Sequence, residues 1–169
     1  IPSVSSQTEH MNDMRRCADW ISNQLRTIGM QNVQIMETPG HPVVYGDWLG
    51  APGKPTVLLY GHYDVQPVDP VDLWTSPPFE ATIRDGNLYA RGSTDDKGQV
   101  FAHLKALEAY MKNTGRLPVN LKIIIEGEEE IGSEHLDNLV SEHKELLRAD
   151  LVMISDSDMF ARGVPSVCY

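Results

Sequence analysis

Apolar and polar positions alternate along the chain with two distinct periods. Between residues 8 and 28, Met14, Ala18, Ile21, Leu25 and Ile28 recur at spacings of four and three, which predicts an amphipathic helix. Ser6 and Glu9 stand at capping-box spacing at its start, and Gly29 is a natural stop behind it. A second helix is expected from about Asp96, with Val100, Leu104, Leu107 and Met111 on its apolar face and Gly115 and Pro118 ending it. Ser133 is placed to cap a third helix running to about Leu147.

Short apolar segments separate these helices. Val33–Met36 and Val43–Leu49 have strand character, and the apolar runs at 56–60, 120–127 and 150–156 read as buried strands. Glu80–Arg84 and Asn87–Arg91 read as two strands joined at Asp85-Gly86, a strong hairpin signal. Residues 164–169 begin what reads as one more strand. Helices alternating with apolar strands predict a three-layer α/β domain: a largely parallel mixed sheet with helices on both faces. A chain of 169 residues suits one such domain and is long enough to bury a real core.

Charge narrows the partners. With 24 acidic and 14 basic residues the formal net charge is −10, which argues against nucleic acid and anionic membranes, since both select basic surfaces. No apolar run approaches the ~20 residues of a membrane span, and no signal-peptide pattern opens the chain. Cys17 and Cys168 are too few for a disulfide framework, so a reducing, cytoplasmic setting is expected.

The candidate chemistry lies where the apolar runs stop. His62 and Asp64 follow the first, Glu128, Glu129 and Glu130 the second, and Asp156 and Asp158 the third; Asp95 and Asp96 lie between the hairpin and the second helix. Each cluster alone has an ordinary explanation. A His-x-Asp is often incidental, an Asp pair before a helix is usually a cap, a Glu triplet is usually solvated, and an Asp after a strand often forms a turn. Together they are harder to dismiss, because ligands of open α/β sheets bind outside the carboxyl ends of the strands. So many carboxylates at one sheet edge would repel each other unless cations lay among them. Hydrolytic two-metal sites hold cations about 3.5–4 Å apart, which requires an anionic bridge such as a carboxylate, with imidazole and further carboxylates outside it. His62 and Asp64, two apart in extended chain, share a face, so Asp64 can orient the imidazole. Adjacent Glu129 and Glu130 point differently, so one can bind metal while the other faces the attacking water. No HExxH, GxSxG, P-loop or GxGxxG motif is present.

GHYDVQP, WTSPPF, LYARGSTDDKG, EGEEEIGS and ISD, in this order and with IPSVSS at the start, resemble the M20 metallopeptidases, and among them dipeptidases of the carnosinase and Cys-Gly type. The resemblance spans essentially the whole chain. It implies two divalent cations, zinc first with manganese or cobalt as alternatives, and His62, Asp95, Glu130 and Asp156 as their ligands, Asp95 bridging. It implies Asp64 as the catalytic aspartate behind His62 and Glu129 as the general base, taking a proton from the activated water and returning it to the leaving amine of a dipeptide. Asp96 becomes the bridge's neighbour, Asp158 a fallback for Asp156, and the charge of Glu128 has no assigned role.

The resemblance also implies that residues 1–169 are the N-terminal part of the catalytic domain. A lid domain that mediates homodimerisation, the rest of the catalytic domain and a late histidine as fifth ligand would lie beyond them. His10, His41, His103, His135 and His143 read as packing or surface residues rather than that ligand. The chain alone is then expected to bind metal weakly and turn over little. Two rivals remain: a deacylase or carboxypeptidase of the same family acting on N-acylated amino acids, and a non-catalytic binding or assembly module that keeps the fold.

Overall fold

The computed structural model describes residues 1–164. The expected strand at 164–169 therefore lies almost wholly outside the described residues. Helix α1 (Met11–Ile28) presents Met14, Cys17, Ala18, Ile21, Leu25 and Ile28 to the core. It ends as expected at Gly29, whose N–H reaches the Arg26 carbonyl while Met30 N–H reaches that of Leu25, the Schellman pairing. The capping box does not form. The chain enters α1 through a 3-10 turn at Thr8–His10, which moves the helix start onward and carries Ser6 out of reach; no side chain caps either start.

Five strands, β1 (Gln31–Met36), β2 (Val43–Trp48), β3 (Thr56–His62), β6 (Asn120–Glu126) and β7 (Leu151–Ile154), build one sheet in the order β1-β2-β6-β3-β7. β6, β3 and β7 pair in parallel, while β2 is antiparallel to both β6 and β1. Four of the five strands thus run in one direction, with β2 reversed. The hairpin forms separately as β4 (Thr82–Arg84) and β5 (Asn87–Tyr89), shorter than expected, with Asp85 and Gly86 both at positive φ in its turn.

Side-chain alternation along β6 divides the core. Leu121, Ile123 and Ile125 join the cluster beneath α1 and α2 (Lys97–Thr114), whereas Ile124 joins Leu139 and Leu147 on the opposite face. The second cluster is covered by α3 (Leu136–Glu142) and α4 (Lys144–Leu147). One continuous helix was expected here. The backbone leaves helical angles at His143, and each piece turns a leucine into the same cluster. Ser133 is not a cap: it sits at φ 52 and its hydroxyl donates 2.9 Å to Glu126 Oε1. At the sheet edge, Leu151, Val152 and Ile154 of β7 are exposed among the described residues.

Candidate metal centre

Parallel pairing brings the carboxyl ends of β3, β6 and β7 to one edge. His62 is in register with Glu126, and Tyr60 with Ile154, so two residues further Asp156 comes level with His62. Gly61 allows this packing. A Cβ there would meet Val100 Cγ2 at 2.7 Å and Asp96 Oδ2 at 2.8 Å, so any larger residue would push α2 off the strand that carries His62.

His62 is fully buried, and its two ring nitrogens meet different surroundings. Nδ1 lies 3.1 Å from the Asp64 carbonyl oxygen and 3.3 Å from Asp64 Oδ1. Nε2 has no hydrogen-bond partner among the described residues. Around it stand Asp95 Oδ1 at 3.2 Å, Asp156 Oδ2 at 3.4 Å and Glu129 Oε2 at 3.8 Å. One ligand atom each from His62, Glu129 and Asp156 lies within 4.8 Å of the others.

These separations suit a metal. Nitrogen and oxygen ligands about 2.0–2.2 Å from a tetrahedral zinc lie about 3.3–3.6 Å from one another, whereas a buried imidazole nitrogen facing only carboxylates would otherwise have to carry a proton. Without a cation that is its state: burial pulls the imidazole down, but Asp64, Asp96 and Glu129 overcome this and push His62 up to about 9. Burial, with the nearby Asp156 and Glu130 charges and against the pull of His62, also raises Glu129 above the usual carboxylate range. The donor set is hard to borderline, which suits zinc, manganese or cobalt.

The other expected site residues separate into distinct roles. Asp64 is fully buried, and its Oδ2 accepts from Ser5 Oγ at 2.7 Å and from Glu130 N–H at 3.1 Å. Glu129 and Glu130 share a 3-10 turn (Glu129–Ile131) and point apart, as expected of neighbours. Glu129 faces His62, while the Glu130 carboxylate accepts from Gln66 N–H at 3.2 Å and Gln66 Nε2 at 2.7 Å, outside the His62 group.

Three contributors escaped sequence reasoning. Asp96 begins α2 without capping it: its buried Oδ2 accepts the His62 N–H at 3.1 Å, and burial, opposed by that bond, lifts it to about 6. Glu128 is also buried. Its Oε1 accepts His41 N–H at 2.9 Å and its Oε2 lies 2.9 Å from His135 Nδ1, while its carbonyl accepts the Ile131 and Ser133 N–H groups, so it anchors the turn that carries Glu129 and Glu130. His103, expected to be packing, bonds Ser155 Oγ at 2.7 Å, next to Asp156. Cys17 is a buried free thiol, as expected of a packing residue. No helix among the described residues is long and apolar enough to cross a membrane.

Residues 58–167 match the model of peptidase family M20/M25/M40. Over 166 residues the chain is 35% identical to the cysteinylglycine-S-conjugate dipeptidase of Corynebacterium striatum, covering 98% of this chain and 36% of that enzyme. Over 133 residues it is 42% identical to the human beta-Ala-His dipeptidase, covering 78% of this chain and 26% of that protein. Its fold superposes on the crystal structure of an M20 family metallo-carboxypeptidase from Sulfolobus solfataricus with a TM-score of 0.84 and 37% identity, covering 94% of this chain and 35% of that one. The chain thus spans about a third of the length of the relatives it matches.

Proposed function

Because the chain belongs to peptidase family M20/M25/M40, we propose that it is the metal-binding, N-terminal part of a dipeptidase. One observation carries this reading: His62 Nε2, buried and without a hydrogen-bond partner among the described residues, is ringed by oxygens of Asp95, Asp156 and Glu129. His62, Asp95 and Asp156 would hold one divalent cation. Asp95 and Glu130 would hold a second, Glu130 exchanging its bond to the Gln66 side chain for it. Zinc is the first choice of ion.

When bound, the cations would acidify a water and polarise the scissile carbonyl. The chain's own residues handle the proton. Glu129, its affinity for a proton raised by burial, takes it from the water and delivers it to the leaving amine. Asp64 keeps the Nδ1–H of His62 occupied and so leaves the Nε2 lone pair for metal. A lid domain that mediates homodimerisation, a fifth ligand outside this chain and a cytoplasmic location belong to the same reading. Gel filtration and cell fractionation of the full-length protein test the lid and the location.

The dipeptidase assignment draws on GHYDVQP, on the W-x-x-x-P-F spacing at Trp74, Pro78 and Phe79, and on the two dipeptidases among the relatives. The carboxypeptidase of similar fold keeps a carboxypeptidase as the family rival, one that, like a deacylase, would act on N-acylated amino acids. Assaying the zinc-loaded full-length protein on free dipeptides against N-acetyl and N-succinyl amino acids separates the two; preference for the acylated set overturns the dipeptidase reading. A non-catalytic module would be indifferent to Glu129→Ala, whereas a hydrolase loses its rate and keeps its metal.

A further inference from the structure

The N-terminal segment is bound alongside the strand end that carries the site. Val4 forms a parallel bridge with Val65, Val65 N–H donates to the Ser3 carbonyl at 2.9 Å, and Ser3 Oγ donates to the Tyr63 carbonyl at 2.6 Å. These contacts flank Asp64 on both sides. Between them the Ser5 hydroxyl, itself buried, reaches Asp64 Oδ2 at 2.7 Å, and the Ser5 carbonyl accepts His41 Nε2–H at 2.9 Å.

The geometry makes the two oxygens of Asp64 unequal. Oδ2 takes two donors, Ser5 Oγ–H and Glu130 N–H, whereas Oδ1 is buried without a hydrogen-bond partner among the described residues and lies 3.3 Å from His62 Nδ1. Two donors on one oxygen fix the rotation of the carboxylate about its Cβ–Cγ bond. The remaining oxygen then points at the imidazole Nδ1, which it shares with the Asp64 carbonyl oxygen at 3.1 Å.

We infer that Ser5 is a positioning residue: by holding Asp64 Oδ2 it aims Oδ1 at His62 Nδ1 and so keeps the Nε2 lone pair turned toward the metal. The inference rests on the metal-site reading above. Ser5 touches neither cation nor substrate and acts wholly through Asp64. His41 supports it from behind, since the His41 N–H is itself held by Glu128. One hydrogen-bonded path therefore runs from the glutamate turn through His41 and Ser5 to Asp64, and returns through Glu130 N–H.

The test measures zinc affinity of the full-length protein by chelator competition, with Ser5→Ala, Ser5→Thr and Ser3→Ala beside wild type. A change in a group supporting a metal-bound histidine typically costs 10–100-fold, so Ser5→Ala should weaken zinc binding about tenfold while Ser5→Thr, which keeps the hydroxyl, restores most of it. Ser3→Ala loosens the same segment without touching Asp64 and should stay within about twofold of wild type. In the zinc-loaded protein the downfield Nδ1–H resonance of His62 should persist in wild type and Ser5→Thr, and broaden by exchange in Ser5→Ala. Equal affinity of Ser5→Ala and wild type, or an equal loss in Ser3→Ala, overturns the inference alone. A full-length wild-type protein that takes up no zinc overturns the metal-site reading, and the inference with it.

Discussion

His62 on β3 and Asp156 beyond β7 come level across a parallel pair of strands, with Nε2 3.4 Å from Oδ2 and no hydrogen bond from the described residues satisfying the nitrogen. Asp156→Ala should therefore weaken zinc binding by more than about 100-fold, beyond the usual loss for a supporting group. Chelator competition measures it, with an unchanged far-ultraviolet circular dichroism spectrum as the check on folding.

Proton and metal compete for His62. In the metal-free protein burial is outweighed by Asp64, Asp96 and Glu129, which push the His62 imidazole up from 6.5 to about 9. Apparent zinc affinity should rise with pH up to about 9, roughly tenfold per unit for one displaced proton, and then level off. The sign for folding is the reverse. A raised pKa means that this group's stabilisation is fully present below about 6.5 and is lost as pH rises toward 9. Urea midpoints of the metal-free protein should fall across that window from this group, and saturating zinc should flatten the fall.

Glu129→Gln removes the proton acceptor and keeps the shape. In the full-length protein it should lower kcat by about 10²–10⁴ with metal content unchanged. Loss of metal in step with activity would instead make Glu129 a ligand, which its 3.8 Å approach to His62 Nε2 also allows.

Glu128→Ala leaves the His41 N–H and His135 Nδ1 without their carboxylate. Stranding a buried polar group costs about 1–3 kcal/mol; His41 and His135 are only half-buried, so the drop in the urea midpoint should correspond to the low end of that range. Because the carboxylate ties to His41 and His135 the residue whose carbonyl holds the glutamate turn, activity should fall further than unfolding at the assay temperature explains.

Ile123, fully buried between β2 and β3 beneath α1 and α2, probes the core. Ile123→Ala should destabilise the fold by about 2–5 kcal/mol through lost burial and a residual cavity, while an exposed β7 residue such as Val152 should tolerate polar replacement with little change.

Much of this was legible in the sequence because it is local. The spacing of Met14, Ala18, Ile21, Leu25 and Ile28 marks one face of α1, since a helix repeats every 3.6 residues whatever it packs against. The apolar runs became β3, β6 and β7, and an acidic or imidazole residue after each run had to collect at one edge once the strands paired in parallel. Tertiary structure alone decided which of two adjacent glutamates faces His62, because the direction of Glu130 depends on Gln66, 64 positions away. It also turned Asp96 from capping its own helix to the His62 N–H, 34 positions back, and buried Glu128 against His41, 87 positions back. For Asp96 and Glu128 packing had buried the carboxylate, where a hydrogen bond is worth more and leaving it unmade costs more, whereas Glu130 met Gln66 at the surface. Local periodicity carries no trace of these partners.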